Sequence, residues 1–88
     1  MDNRIREIDL CIEARCEWIQ ALCKAKRSLT VDPTIRKSFE DCRCDLVEEI
    51  ADVSITIDNI VNVFNISPEV VAELIEFKRE RTRNLLEE

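Results

Sequence analysis

Residues 46–64 read LVEEIADVSITIDNIVNVF, and this stretch decides the fold class. Its β-branched residues, taken alone, favour a β-strand. The stretch nevertheless contains six residues that recur every three or four positions and share one helix face, namely Val47, Ile50, Ser54, Ile57, Val61 and Phe64. The spacing therefore predicts an amphipathic helix, with the acids Glu48, Glu49 and Asp52 beside its apolar face.

A second apolar stripe predicts a helix from about residue 3 to residue 27. Isoleucine and leucine recur there at helical spacing, at Ile5, Ile8, Ile12, Ile19 and Leu22, and Arg15 interrupts the stripe. In each helix we expect the apolar stripe to face the core.

Local signals place the remaining helix ends. Asp32 and Pro33 suit the cap and the first position of the middle helix, whose early part, TIRKSFEDCRC, is alternatively a separate short helix. Asn65 can end the middle helix near Phe64. Ser67 and Pro68 then suit the start of a third helix that runs to about residue 86. The prediction is an all-α bundle of three to four helices that forms a single domain over residues 1–88.

Composition narrows the function classes. The chain has no glycine, which argues against glycine-rich phosphate loops, and no histidine, which leaves carboxylates as the main candidates for chemistry. Residues 45–77 hold eight acids and no lysine or arginine, which argues against nucleic-acid binding along that stretch.

The cysteine count bears on disulfides. The chain has five cysteines, an odd number, and no secretion signal, which favours free thiols. The chain has no long apolar run, so we expect no membrane span. Its start has no signal-peptide apolar core, so we expect a cytoplasmic protein.

The acids form a stripe on the middle helix. Asp45, Glu49, Asp52, Thr56 and Asn59 fall on one side of it, and Glu48 neighbours Asp52 one turn away. The first helix carries its own polar face, with Glu13, Glu17, Gln20 and Lys24. Antiparallel packing would bring Glu17 near Glu49 and Asp52, where hard ions such as Mg²⁺ or Mn²⁺ bind oxygen ligands. The alternative is a solvated acidic face, which is common in acidic helices.

The last helix has the opposite charge. Lys78 and Arg81 lie three apart on one face, with Arg79 and Arg83 nearby. These cations either complement the helix dipole near its C-terminus or hold phosphate groups beside the acidic stripe.

The segments LVEEIADVSITIDNIVNVFNI and EFKRERTRNLL resemble short, phage-type MazG-like members of the all-α nucleoside triphosphate pyrophosphohydrolases. That family pairs an E-E-x-x-E motif with a later E-x-x-D motif, and together they hold Mg²⁺. The resemblance implies Glu17, Glu49 and Asp52 as catalytic residues and Lys78 and Arg81 as phosphate contacts. It implies a metal site drawn from Glu13, Glu17, Glu48, Glu49 and Asp52.

The first motif departs from the family pattern. In EARCE, Glu13 and Glu17 match its ends, but Ala14 replaces the middle acid. Either Glu13 or Glu48 takes over that role and the chain hydrolyses a nucleoside triphosphate to a monophosphate and pyrophosphate, or the chain binds and sequesters a nucleotide without cleaving it. A structural helical protein with solvated acids is the third alternative.

The short chain and the resemblance also predict a homodimer or a homotetramer. A domain of 88 residues buries little surface by itself. Leu10, Trp18 and Val53 lie off the main apolar stripes, which leaves apolar surface on two sides. The resemblance implies assembly through the long helices.

Overall fold

The computed structural model describes residues 2–30 and 38–87 and consists of three α-helices there. Helix α1 spans Asn3–Leu29, α2 spans Phe39–Val63 and α3 spans Pro68–Glu87. The all-α class is therefore confirmed, and the β-branched run of residues 53–61 lies inside α2. None of the described helices is long and apolar enough to cross a membrane.

The beginnings of α1 and α2 are fixed by side-chain caps. The Asp2 carboxylate accepts a hydrogen bond from the backbone N–H of Arg4 at 2.9 Å. Ser38 Oγ accepts one from the backbone N–H of Asp41 at 3.2 Å, and α2 begins at the next residue, Phe39. The predicted cap and helix start at residues 32 and 33 lie outside the described residues. Ser38, followed by Glu40 and Asp41 in the first turn, is a capping signal that the prediction missed.

The junction of α2 and α3 follows the prediction. Asn65 adopts a left-handed backbone conformation, with φ of 53°, which asparagine tolerates better than most residues. The Ile66 N–H donates to the Val61 carbonyl at 2.9 Å and the Asn65 N–H to the Asn62 carbonyl at 3.3 Å, the Schellman pattern of a helix end. Ser67 Oγ then accepts from the backbone N–H of Val70 at 3.3 Å and so caps α3.

Helices α1 and α2 pack against each other as a hairpin, and their contact is lined by small side chains. The buried residues are Ala14, Ala21 and Ala25 on α1 and Cys42 and Val53 on α2. The half-buried Cys11, Trp18 and Ser28 extend the α1 set, so that its members alternate in steps of three and four residues, as in a coiled coil. We call this contact the seam. Its small residues let the two backbones approach closely.

The predicted apolar stripes do not form this seam, and in that respect the core prediction is wrong. The α1 residues Ile5, Ile8, Ile12, Ile19 and Leu22 are all exposed. On α2, Val61 is half-buried, whereas Val47, Ile50, Ser54, Ile57 and Phe64 are exposed. The physical reason is that periodicity identifies the apolar side of a helix but not what packs on it. A seam of alanine and cysteine gives a weaker periodic signal than a stripe of isoleucine.

Helix α3 does not pack extensively on either helix of the hairpin. All its side chains from residue 68 to residue 86 are exposed. Ion pairs join Glu76 to Arg79 at 3.4 Å and Glu80 to Arg83 at 3.1 Å, each between residues three apart on the same helix. Such exposed pairs contribute little stability, so α3 is an amphipathic helix without a partner inside the described chain.

The seam can be tested by enlarging one of its alanines. We expect Ala21→Leu to destabilise the protein by about 1–3 kcal/mol, because extra methylene groups at a close helix contact force the backbones apart. Ala51→Leu is the matched control, since Ala51 is exposed on α2 and leucine is almost as good a helix former as alanine. Urea denaturation at equal protein concentration measures both. Equal unfolding free energies for the two variants would mean that Ala21 does not lie between the helices.

Candidate metal centre

The hairpin brings together three carboxylates that are far apart in sequence. Glu17 on α1 and Glu49 and Asp52 on α2 each place one carboxylate oxygen within 4.8 Å of the other two. Glu49 and Asp52 lie three residues apart and so project from the same side of α2. The antiparallel seam sets Glu17 opposite them. These are the three residues that the sequence predicted would meet.

Burial within this cluster is unequal. Glu17 and Asp52 are exposed at the rim, whereas Glu49 is half-buried. The Glu49 Oε2 atom is sealed from solvent and has no hydrogen-bond partner among the described residues. A buried carboxylate oxygen without a donor is unfavourable, so the Glu49 position is one where a cation or a proton would stabilise the fold.

The electrostatics of Glu49 agree with its position. Burial raises the pKa of the Glu49 carboxyl above its ordinary value, and the negative charges of Glu17 and Asp52 raise that pKa further. Glu48 and Asp45 add to the same effect. Both causes disfavour the ionised carboxylate. Metal-free protein therefore holds a proton at Glu49 more readily than an ordinary glutamate would.

Ion pairs of the described chain lie away from the three-carboxylate cluster. They join Arg4 to Asp2, Arg43 to Glu40, Arg79 to Glu76 and Arg83 to Glu80, all within residues 2–30 and 38–87. Within those ranges, Glu17, Glu49 and Asp52 form no ion pair with lysine or arginine. The cluster thus differs from a structural ion-pair network, in which charges of both signs alternate.

A groove of about 290 Å³ opens beside the cluster on the same side of the hairpin. It is lined by Leu10, Glu13, Ala14, Glu17, Asp52, Ile55, Thr56 and Asn59. The volume is just below the usual range for small-molecule sites, roughly 300–1,000 Å³. The groove combines carboxylates, a hydroxyl and an amide with apolar walls, so it offers both ion ligands and a surface for a flat or aliphatic group.

The structure separates the remaining predicted site residues into near and distant ones. Glu13 lines the groove, one helical turn from Glu17. Glu48 is exposed and lies outside the three-carboxylate cluster, which it affects through its charge on Glu49. Lys78 and Arg81 lie on α3 and do not line the groove.

Two groove residues, Leu10 and Ile55, were not predicted from the sequence. Their spacing could have identified them, because Leu10 is three residues before Glu13 and Ile55 is three residues after Asp52, one turn along each helix. Ala14 was recognised as a departure from an acidic motif, but its burial was not foreseen. With only 6% of its surface exposed, Ala14 belongs to both the seam and the groove.

The donor set of the cluster fits a hard divalent cation. Carboxylate oxygen is the ligand that Mg²⁺ and Mn²⁺ prefer, and the unpartnered Glu49 Oε2 is a free acceptor. Glu17 and Asp52 are exposed to solvent, so an ion held by them would have room to bind water and a non-protein ligand as well. Among the described residues, no cysteine belongs to the cluster of Glu17, Glu49 and Asp52. The buried cysteine, Cys42, lies on the seam.

Comparisons of the chain with protein-family models, with curated proteins and with solved structures gave no significant match.

The raised pKa of Glu49 predicts a pH dependence of stability. Folded protein binds this proton more tightly than the unfolded chain, whose glutamates titrate near 4.5. The stabilising contribution is thus complete below that pH and is lost as the pH rises through the folded-state pKa. Without divalent metal, we expect Glu49→Gln to be more stable than wild type at pH 7, with the difference shrinking as the pH falls toward 4.5.

Denaturant unfolding measured across that pH range in a chelating buffer gives the comparison. Asp58→Asn serves as the control, because Asp58 is an exposed acid on the same helix that does not act on Glu49. Parallel stability curves for wild type and Glu49→Gln would show that the Glu49 carboxyl has an ordinary environment.

Proposed function

We propose that the protein is a Mg²⁺-dependent nucleotide pyrophosphohydrolase that cleaves a nucleoside triphosphate to a nucleoside monophosphate and pyrophosphate. The observation that carries the proposal is the convergence of Glu17, Glu49 and Asp52 from two helices, with a sealed Glu49 oxygen and no compensating cation in the described chain. The resemblance of residues 46–66 to MazG-like enzymes supplies the reaction class.

In this proposal Glu17, Glu49 and Asp52 would hold Mg²⁺ or Mn²⁺. The ion, when bound, supplies charge neutralisation for the phosphates and lowers the pKa of a bound water. The chain itself supplies the carboxylates and their orientation. Glu49, fixed at the seam, is the most constrained of the three, whereas Glu17 and Asp52 have solvent access and can accept protons or hydrogen bonds at the groove.

The groove suits the rest of the nucleotide. The apolar side chains of Leu10 and Ile55 can contact a base or a ribose edge, and Thr56 and Asn59 offer hydrogen-bonding groups. Glu13 is placed to join the metal site, since it shares the groove with Glu17. Lys78 and Arg81 belong to the proposal through the resemblance alone, because α3 does not pack extensively on the hairpin that holds the groove.

Non-hydrolytic nucleotide binding is the second candidate, and Ala14 favours it. Ala14 stands where the resemblance implies an acid, and its burial at the seam gives it a packing role. A glutamate there would have to fit at the close approach of two helices. The site therefore holds one carboxylate fewer than the family motif, which weakens water activation more than nucleotide binding.

A purely structural role for the acids fits the geometry less well. Solvated acids spread apart to reduce repulsion, whereas these three approach within 4.8 Å of one another, and one oxygen is shielded from water. Maintaining that arrangement opposes folding in the absence of a cation.

Removing one ligand tests the metal site. We expect Asp52→Asn to weaken Mg²⁺-dependent nucleotide binding and hydrolysis by more than about 100-fold, since even supporting residues of metal sites contribute about 10- to 100-fold to affinity. The melting temperature of the metal-free variant should stay level or rise, because the substitution removes like-charge repulsion. Isothermal titration with Mn²⁺ and a non-hydrolysable triphosphate measures binding, and release of pyrophosphate measures turnover.

The control for this experiment is Asp58→Asn, which removes an exposed acid of the same helix outside the cluster. Wild-type protein whose melting temperature is unchanged by millimolar Mg²⁺ and Mn²⁺ would contradict the metal site itself, since a ligand that binds the folded state stabilises it.

Restoring the missing acid separates hydrolysis from sequestration. We expect Ala14→Glu to increase turnover, because the new carboxylate would lie one turn before Glu17 and beside the same groove. Because Ala14 is buried among acids, we also expect lower stability without metal and a larger stabilisation by Mg²⁺ than in wild type. Initial rates of pyrophosphate release and melting curves with and without Mg²⁺ measure the two effects.

Ala51→Glu, an exposed alanine on α2 outside the groove, is the matched control. Wild-type turnover on the order of 1 per second or faster would show that Ala14 does not impair catalysis. Glu13 or Glu48 would then fill the role of the acid that the family motif has at this position. Tight binding without turnover in wild type, with turnover gained in Ala14→Glu, would establish sequestration. If neither protein binds nucleotide, both nucleotide functions are wrong.

A further inference from the structure

A second cavity, of about 250 Å³, continues the groove toward the N-terminal end of α1. It is lined by Ile5, Arg6, Asp9, Leu10 and Glu13. Leu10 and Glu13 also line the groove, so the two cavities are neighbouring parts of one depression in the surface. We call this second cavity the recess.

Four residues of α1 connect the carboxylate cluster to the recess. They are Arg6, Leu10, Glu13 and Glu17. Each is three or four positions from the next, so the four lie in a row along one side of the helix. Arg6 precedes Glu17 by 11 positions, which corresponds to about 16 Å along the helix axis. An extended nucleoside triphosphate spans a similar distance from its phosphates to the far edge of its base. A nucleotide whose phosphates are held at the cluster can therefore place its base in the recess.

The recess offers one hydrogen-bonding side chain of each kind, the donor Arg6 and the acceptor Asp9, three residues apart on α1. None of the ion pairs in residues 2–30 and 38–87 includes either of them. In the described helices, the ion pairs at this spacing all have the acid before the arginine, which is the favourable order on a helix. Arg6 instead precedes Asp9, and both side chains are available to a ligand.

Guanine is the nucleobase whose polar edge matches this pair of side chains. Its N7 and O6 atoms accept hydrogen bonds, and its adjacent N1–H and 2-amino groups donate them. A guanidinium can donate two parallel hydrogen bonds to the acceptors, and a carboxylate can accept two from the donors. Adenine and uracil alternate acceptors and donors along the corresponding edge, so neither satisfies both Arg6 and Asp9 in this way. The exposed apolar side chains of Ile5 and Leu10 can contact the face of the base.

We propose that the recess binds the base of the nucleotide and selects guanine, with Arg6 donating to N7 and O6 and Asp9 accepting from N1–H and the 2-amino group. This inference rests on the proposed function, because the carboxylate cluster places the phosphates. Arg6 is the only cation among the described residues that line the groove and the recess. Its distance from Glu17 along α1 places it beyond phosphates bound at the cluster, so its partner there is the base.

Isothermal titration of the wild-type protein with Mn²⁺ and the uncleavable α,β-imido triphosphates of the four bases tests the selectivity. We expect the guanosine analogue to bind at least about 10-fold more tightly than the adenosine and uridine analogues, toward the low end for bidentate base contacts because the recess is open to water. The cytidine analogue, with two acceptors and one amino group, should lie between them. Equal affinity for all four, with Mn²⁺-dependent binding intact, would overturn this inference and leave the proposed function standing. Absence of nucleotide binding would overturn both.

Two edited bases assign the contacts within single variants, so that a change in stability does not affect the comparison. The inosine analogue lacks the 2-amino group, and the 7-deazaguanosine analogue lacks the N7 acceptor. Wild type should prefer guanosine to both. Asp9→Ala should lose the preference over inosine and keep that over 7-deazaguanosine, and Arg6→Ala should do the reverse. Arg15→Ala and Asp58→Ala, exposed and outside both cavities, should keep both preferences. Both preferences retained in Arg6→Ala and Asp9→Ala would show that these side chains do not read the base.

Discussion

The close approach of α1 and α2 along a seam of small residues is the contact on which the rest of the structure depends. Ala14, Ala21 and Ala25 let the helices come together along most of their length, and Val53 fills the opposite side. This contact determines which residues of the two helices face each other. The same register that buries these alanines places Glu17 opposite Glu49 and Asp52, so the carboxylate cluster follows from the packing of the seam.

That arrangement opposes folding unless the charge is offset. Burial and four neighbouring acids disfavour the ionised form of Glu49, and in the described residues no lysine or arginine pairs with Glu17, Glu49 or Asp52. A divalent cation bound at the cluster would relieve this repulsion and would give the Glu49 Oε2 atom a partner. Such binding would stabilise the folded protein.

The hairpin also has two faces of different character. The acidic face carries the groove, and the opposite face carries exposed isoleucines such as Ile12 and Ile50. Because the fully buried residues of the seam between them are small, the hairpin by itself buries little apolar area. Helix α3 likewise leaves apolar side chains such as Val71 and Phe77 exposed.

Much of this was determined by the sequence alone, since it depends on local interactions. Helical periodicity gave the all-α class, and the Asn65 helix end and the Ser67 cap were recognisable because turn and cap chemistry involves residues within a few positions of each other. Helical geometry also indicated that Glu49 and Asp52 share a side of α2 and would face Glu17. The tertiary structure decided which side of each helix is buried inside the chain. Periodicity pointed to isoleucine stripes, whereas the seam uses Ala14, Ala21 and Ala25. A helix can have one side of small residues and another side of large apolar residues, and either side can be buried. Packing against a particular neighbouring helix decides which of the two sides is buried.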